Sequence, residues 1–123
     1  MAWYNESMRI WHQNLIPHLC NMHLVAMWRE MRIGLFGILD DKNGWRNHSA
    51  RKEFEDCPDK LWDRMMLVKQ EADKRGLNFK APIPPRPKES GINPIEWQSY
   101  KEQVEILKQK SKDIVRCKCV ISN

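Results

Sequence analysis

Apolar positions recur with helical period in three stretches of the chain and lose that period between them. From Asn21, which suits an N-cap, Leu24, Trp28, Met31 and Leu35 fall at i, i+4, i+7 and i+11 with Val25 beside them, the stripe of an amphipathic helix. A second stripe, Leu61, Met65, Val68 and Ala72, lies between Pro58, suited to a first helical turn, and Gly76, placed as a C-terminal stop. The third runs Trp97, Tyr100, Val104, Leu107, Ser111 and Ile114. Ahead of it, Asn93-Pro94-Ile95-Glu96 reads as an N-cap, a first-turn proline and a capping-box glutamate. Between the second and third stripes, 81-APIPPRPKESGINP-94 is an extended proline-rich crossing, long enough to span one face of a bundle. The segment 40–56 is polar and turn-rich. With no internal repeat and no convincing strand pair, the expected fold class is all-α: a single small domain of three main helices with an irregular loop and a proline-rich crossing.

Composition narrows this picture in several ways. A chain of 123 residues supports one modest core, so residues 8–123 read as one domain and residues 1–7, MAWYNES, as an N-terminal extension. Hydrophobic content of 41% with 30% charged residues fits a folded globular chain, whereas six tryptophans are many for this length and offer stacking surfaces. No apolar run approaches the roughly 18 residues of a spanning helix, and MAWYNES has neither a basic n-region nor an apolar h-region, so a cytoplasmic protein with no membrane partner is expected. Cys20, Cys57, Cys117 and Cys119 match no spaced disulfide framework and read as reduced thiols. Cys117-x-Cys119 is two close thiols without a paired Cys/His motif elsewhere, so ordinary thiols, no metal and no cofactor are the expectation. The methionines Met22, Met27, Met31, Met65 and Met66 read as core filling.

Charge and one polar pair point toward chemistry. Residues seven apart on an α-helix differ by only about 20° around its axis, so His23 and Glu30 share a face of the first helix next to its core stripe. Partial burial of a glutamate there raises its pKa toward the range useful for proton transfer, with Arg9 or Arg29 as the available counter-charge. A salt bridge at the rim with a satisfied edge histidine explains the same spacing, and spacing alone leaves both readings open. The net charge of +5 favours an anionic partner. Lys101, Lys108 and Lys112 lie on one flank of the third helix and, with Lys110, Arg116 and Lys118, make its last turns basic. Arg46, Arg51 and Lys52 beside Trp45 and His48 form a second basic, aromatic patch. Each is either a solvated surface or a contact to a duplex backbone.

The run Arg9-Ile10, Leu15-Ile16, Leu19, His23-Leu24, Ala26, Arg29-Glu30, Arg32 and Gly37 resembles the N-terminal pattern of the pyrimidine-dimer DNA glycosylases, the endonuclease V type known from phage and some bacteria. A second block, 44-GWRNHSARKEFEDCPDKLWDRMMLVKQEADKRGLNF-79, resembles the second helical region of that family. The resemblance implies a metal-free monomer acting on double-stranded DNA as both glycosylase and abasic-site lyase. Its nucleophile would be an α-amino group that forms an imine with the sugar, here that of Ala2 after methionine removal or that of Met8 if the chain starts there. By the same resemblance Glu30 is the catalytic carboxylate, and Arg9, His23, Arg29 and Arg32 hold the substrate. Trp45, Arg46, Arg51, Lys52, Lys108, Lys112 and Arg116 are the expected DNA contacts. Here seven residues precede Met8, the aromatic-rich tail of the family is replaced by 115-VRCKCVISN-123, and Met22 stands where a glutamine often precedes the histidine. Lesion stacking then falls to Trp11, to Trp45 or to neither. A non-catalytic nucleic-acid- or protein-binding module built on the same fold is the alternative expectation.

Overall fold

The structure, a computed structural model, describes residues 10–40, 53–96, 98–113 and 119. Among these residues there are three α-helices and no strand: α1 (Asn21–Leu39), α2 (Pro58–Lys74) and α3 (Tyr100–Asp113), preceded by a 3-10 helix over Gln13–His18. This is the all-α architecture expected from the stripes.

The 3-10 helix runs through Pro17, and its start is capped by the ring of His12, whose Nδ1 accepts from the Asn14 N–H at 3.1 Å. α1 then begins one residue earlier than its sequence suggests. Extended Cys20 (φ −71°, ψ 165°) is the N-cap and Asn21 is the first helical residue. Asn21 serves a tertiary contact instead: its Oδ1 accepts from Arg75 Nη1 at 3.0 Å.

α2 follows its sequence pattern closely. Leu61, Met65, Val68 and Ala72 are all fully buried, and Pro58 occupies the first turn. Gly76 adopts φ 77°, with Leu77 N–H donating to Ala72 O at 2.9 Å and Gly76 N–H to Asp73 O at 3.1 Å, a Schellman close that L side chains with a Cβ resist. Arg75 at this end also donates to Pro17 O at 3.2 Å, so the end of α2 is pinned to the start of α1.

α1 and α2 pack face to face, and the core between them joins Leu24, Met27, Trp28, Met31 and Leu35 to Leu61, Met65, Val68 and Phe54. Burying each such side chain contributes roughly 1.5–3 kcal/mol. Trp28 is covered by Phe79 with ring centroids 5.1 Å apart. The proline-rich crossing runs extended over α2. Trp62 Nε1 donates to Pro84 O at 2.9 Å, and Arg86, Glu89 and Lys60 form an ion-pair strap with Asp59 and Asp63.

α3 starts later than expected. Residues 93–96 are not helical: Ile95 N–H donates to Glu53 O at 3.0 Å, and Glu96 Oε1 lies 3.5 Å from Arg64 Nη2. The capping box is Ser99 with Glu102 instead, Glu102 N–H donating to Ser99 Oγ at 3.1 Å. Its buried face is also rotated from the apolar stripe. Gln103, Leu107 and Lys110 are buried, while Tyr100 is exposed. Gln103 is accommodated because Oε1 accepts from His12 N–H at 2.7 Å and Nε2 donates to Gln98 O at 3.0 Å.

Candidate active site on the first helix

Residues His23 and Glu30 sit on α1 two turns apart, separated by about 10 Å along the axis. They therefore share a face without touching. Glu30 is half-buried near the middle of the helix and Arg29 is exposed on the adjoining flank. His23 is only 3% exposed, with the edge of Trp11 against it at 6.1 Å and an interplanar angle of 84°. Its ring is therefore buried at the start of α1, whereas Glu30 is partly exposed two turns further on.

One open cleft among the described residues lies along α1. It has a volume of about 410 Å³ and is lined by Val25, Trp28, Arg29, Arg32, Ile33 and, from the segment after α2, Asn78, Phe79 and Lys80. At 100° per residue, Arg32 is about 160° from Glu30 around the helix. Arg29 borders both surfaces, whereas Arg32 belongs to the cleft alone. Arg32 is partly occupied with structure, since Nε donates to Pro82 O at 3.0 Å and the guanidinium stacks over Phe36 at 5.2 Å. An apolar floor of Trp28 and Phe79 rimmed by Arg29, Arg32 and Lys80 is chemically suited to a phosphate backbone with its sugars.

On α3, Lys112 is exposed and Lys108 is partly exposed with Glu105 at 3.7 Å. Lys110 does not join them. It is 4% exposed and packs over the Trp11 ring at 5.7 Å, which removes it from the basic flank read in the sequence. Trp11 is itself 1% exposed, its carbonyl accepting from Arg64 Nη1 at 3.4 Å, so it is a core residue and not a stacking surface for a lesion. Ala2, Met8, Arg9, Trp45, Arg46, Arg51, Lys52 and Arg116 lie outside the described residues.

One grouping escaped the sequence reading. Cys20 Sγ lies 3.3 Å from His23 Nδ1, and Cys119 Sγ lies 3.2 Å from the same nitrogen. Cys20 N–H also donates to Cys119 Sγ at 3.1 Å. The expectation that Cys119 had no Cys/His pair to meet is corrected here: Cys20-x-x-His23 places two ligand types on successive turns at the start of α1, and that spacing was the signal available. The thiol that meets them is 99 residues away from Cys20.

No helix among the described residues is long and apolar enough to cross a membrane. Comparison with curated proteins and with solved structures found no match. A family model described as pyrimidine dimer DNA glycosylase matches residues 8–84, a span that contains α1, α2, the cleft, His23 and Glu30. That match covers more than half of the chain, and the chain belongs to the pyrimidine dimer DNA glycosylase family.

Proposed function

We propose that this protein is a DNA glycosylase with abasic-site lyase activity on ultraviolet pyrimidine dimers. The family implies a DNA substrate and glycosylase action in general. The observation that carries the finer reading is Glu30, a carboxylate inside the matched span, half-buried on α1 with exposed Arg29 beside it.

In this reading an α-amine, that of Ala2 or of Met8 according to the start, attacks C1′ of the damaged nucleotide and the base departs. An α-amine with a pKa near 7.7–8.0 is in part neutral at pH 7, which an ordinary lysine is not. Ring opening gives an imine. Loss of a C2′ proton then expels the 3′ phosphate, and water releases the sugar fragment from the amine. Glu30 assists ring opening and the proton transfers of elimination. Arg9, Arg29 and Arg32 hold phosphates around the lesion, and His23 supports the pocket from its buried position on the same helix as Glu30. Trp45, Arg46, Arg51, Lys52, Lys108, Lys112 and Arg116 extend the contact along the duplex. Base extrusion is cheapest at a damaged, poorly stacked step, which favours lesions over intact DNA.

Borohydride trapping on a duplex with one abasic site tests this. A covalent adduct that disappears when the terminal amine is acetylated is expected, with the chain started at Met8 reacting faster than the full chain because its amine directly precedes Arg9. No adduct from either form overturns the enzyme reading and leaves a non-catalytic binding module.

A further inference from the structure

We propose that Cys20 Sγ, His23 Nδ1 and Cys119 Sγ hold one thiophilic divalent cation, zinc before others, that fastens residue 119 to the start of α1. The inference concerns a structural site that shares only His23 with the glycosylase reading, which itself involves no metal. It rests on the donor set and its spacing. In a tetrahedral zinc site with Zn–S near 2.3 Å and Zn–N near 2.05 Å, the S···N edge is about 3.6 Å and the S···S edge about 3.8 Å. Here the two S···N separations are 3.3 and 3.2 Å, and all three ligand atoms lie within 4.8 Å of one another. Small shifts that lengthen the two S···N edges and set the S···S edge at about 3.8 Å reach the coordination geometry.

Hydrogen bonding explains the trio less well. A neutral imidazole Nδ1 carries either one proton or one lone pair, so it cannot accept from two thiols at once. A cation between them satisfies both sulfurs and the nitrogen together. The surroundings also favour thiolates. Cys20 is the N-cap of α1, where the helix end carries partial positive charge, and its own N–H donates to Cys119 Sγ at 3.1 Å. Cys119 is held by its carbonyl, which accepts from Ser111 Oγ of α3 at 3.5 Å. Trp11 and the core screen His23 from water. Two soft thiolates and an imidazole select zinc over hard cations such as magnesium or calcium, and the three protein ligands among the described residues leave a fourth position of the tetrahedron for a further ligand. Binding expels two thiol protons, so affinity should rise with pH.

The test uses the full chain, purified with reductant, dialysed free of metal and titrated with zinc and, separately, with cobalt. One equivalent of either ion is expected, with cobalt showing thiolate charge transfer and the intense visible bands of a four-coordinate site. Zinc should slow alkylation of Cys20 and Cys119 at least tenfold by peptide mass mapping and leave that of Cys57, buried elsewhere, unchanged. Cys20→Ser and Cys119→Ser should each weaken zinc binding at least a hundredfold, while Cys57→Ala should not. Zinc uptake without protection of Cys20 and Cys119 overturns the proposal, as does cobalt bound without thiolate charge transfer. Isolation of a Cys20–Cys119 disulfide that persists under reductant also overturns it. Because the protection measurement is made on the unaltered protein, a cysteine variant that fails to fold does not shelter the idea.

Discussion

Arg86 holds Asp63 through two hydrogen bonds, Nε to Oδ1 at 2.8 Å and Nη2 to Oδ2 at 2.9 Å, and the same Nη2 reaches Glu89 at 3.0 Å. One guanidinium thereby binds the proline-rich crossing to α2. The pairs are exposed, so their loss should free the crossing without unfolding the core. Arg86→Ala is expected to speed tryptic cleavage at Lys88 several-fold while helical circular dichroism stays the same.

Acid should act on two parts of the structure in sequence. Burial lowers the pKa of His12, whose neutral Nδ1 caps the 3-10 helix, and Glu96 and Arg64 partly offset one another there. A base with a lowered folded pKa contributes stability that is lost as the pH falls below its ordinary value of 6.5. Asp63 is held low by Arg86, and Glu89 by Lys60 and Arg86. Asp59, whose burial alone would raise it, is held low by the facing Ser90 and Lys60; the Lys60 and Arg86 nitrogens stand 3.5 and 3.7 Å from it, at ion-pair range. Depressed carboxylates give stability present at neutral pH and lost below their ordinary range near 4. Thermal unfolding followed from pH 8 to pH 2 should therefore show a small decline through about 6.5 and a steeper one below about 4. A flat profile down to pH 3 would contradict the strap assignment.

Leu61 is fully buried where α1 meets α2. Leu61→Ala should cost about 2–5 kcal/mol, read from the denaturant midpoint at unchanged slope.

The carboxylate of Glu30 is assigned to bond breaking and not to grip. Glu30→Gln is expected to lower strand scission by about 10²–10⁴-fold while leaving duplex affinity within a few-fold of the parent. Equal loss of both would place Glu30 among the binding residues.

Backbone contact by the cleft predicts a salt response. Log affinity for duplex DNA should fall linearly with log salt, and Arg29→Ala combined with Lys80→Ala should flatten the slope by about 1.8, roughly 0.9 per phosphate contact. An unchanged slope would move the duplex to another surface.

How much of this was legible beforehand depends on how local each cause is. α2 is legible almost to the residue because its stripe, its first-turn proline and Gly76 are all local signals. α3 was misplaced at its start, since Asn93 to Glu96 imitates a capping box while Glu53 and Arg64 recruit that stretch into tertiary contacts. Its inner face was also misread. Gln103 and Lys110 are buried because His12 and Trp11 meet them, partners about a hundred positions away that no window along the chain contains. The shared face of His23 and Glu30 followed from seven-residue spacing. That His23 points into the protein and Arg32 toward a separate cleft did not, because both depend on what packs against α1.

The contact between Cys20 and Cys119 spans 99 positions, whereas α1, α2 and the Arg75 clasp that joins them are complete within the first 75 residues. During synthesis the helical pair can assemble while the rest of the chain is still being made, and the start of α1 must wait for residue 119 before its last neighbour arrives. Closing so long a loop costs more entropy than pairing α1 with α2, so this contact should open before the helix pair does. Amides at the beginning of α1 should then exchange with solvent sooner than those of α2.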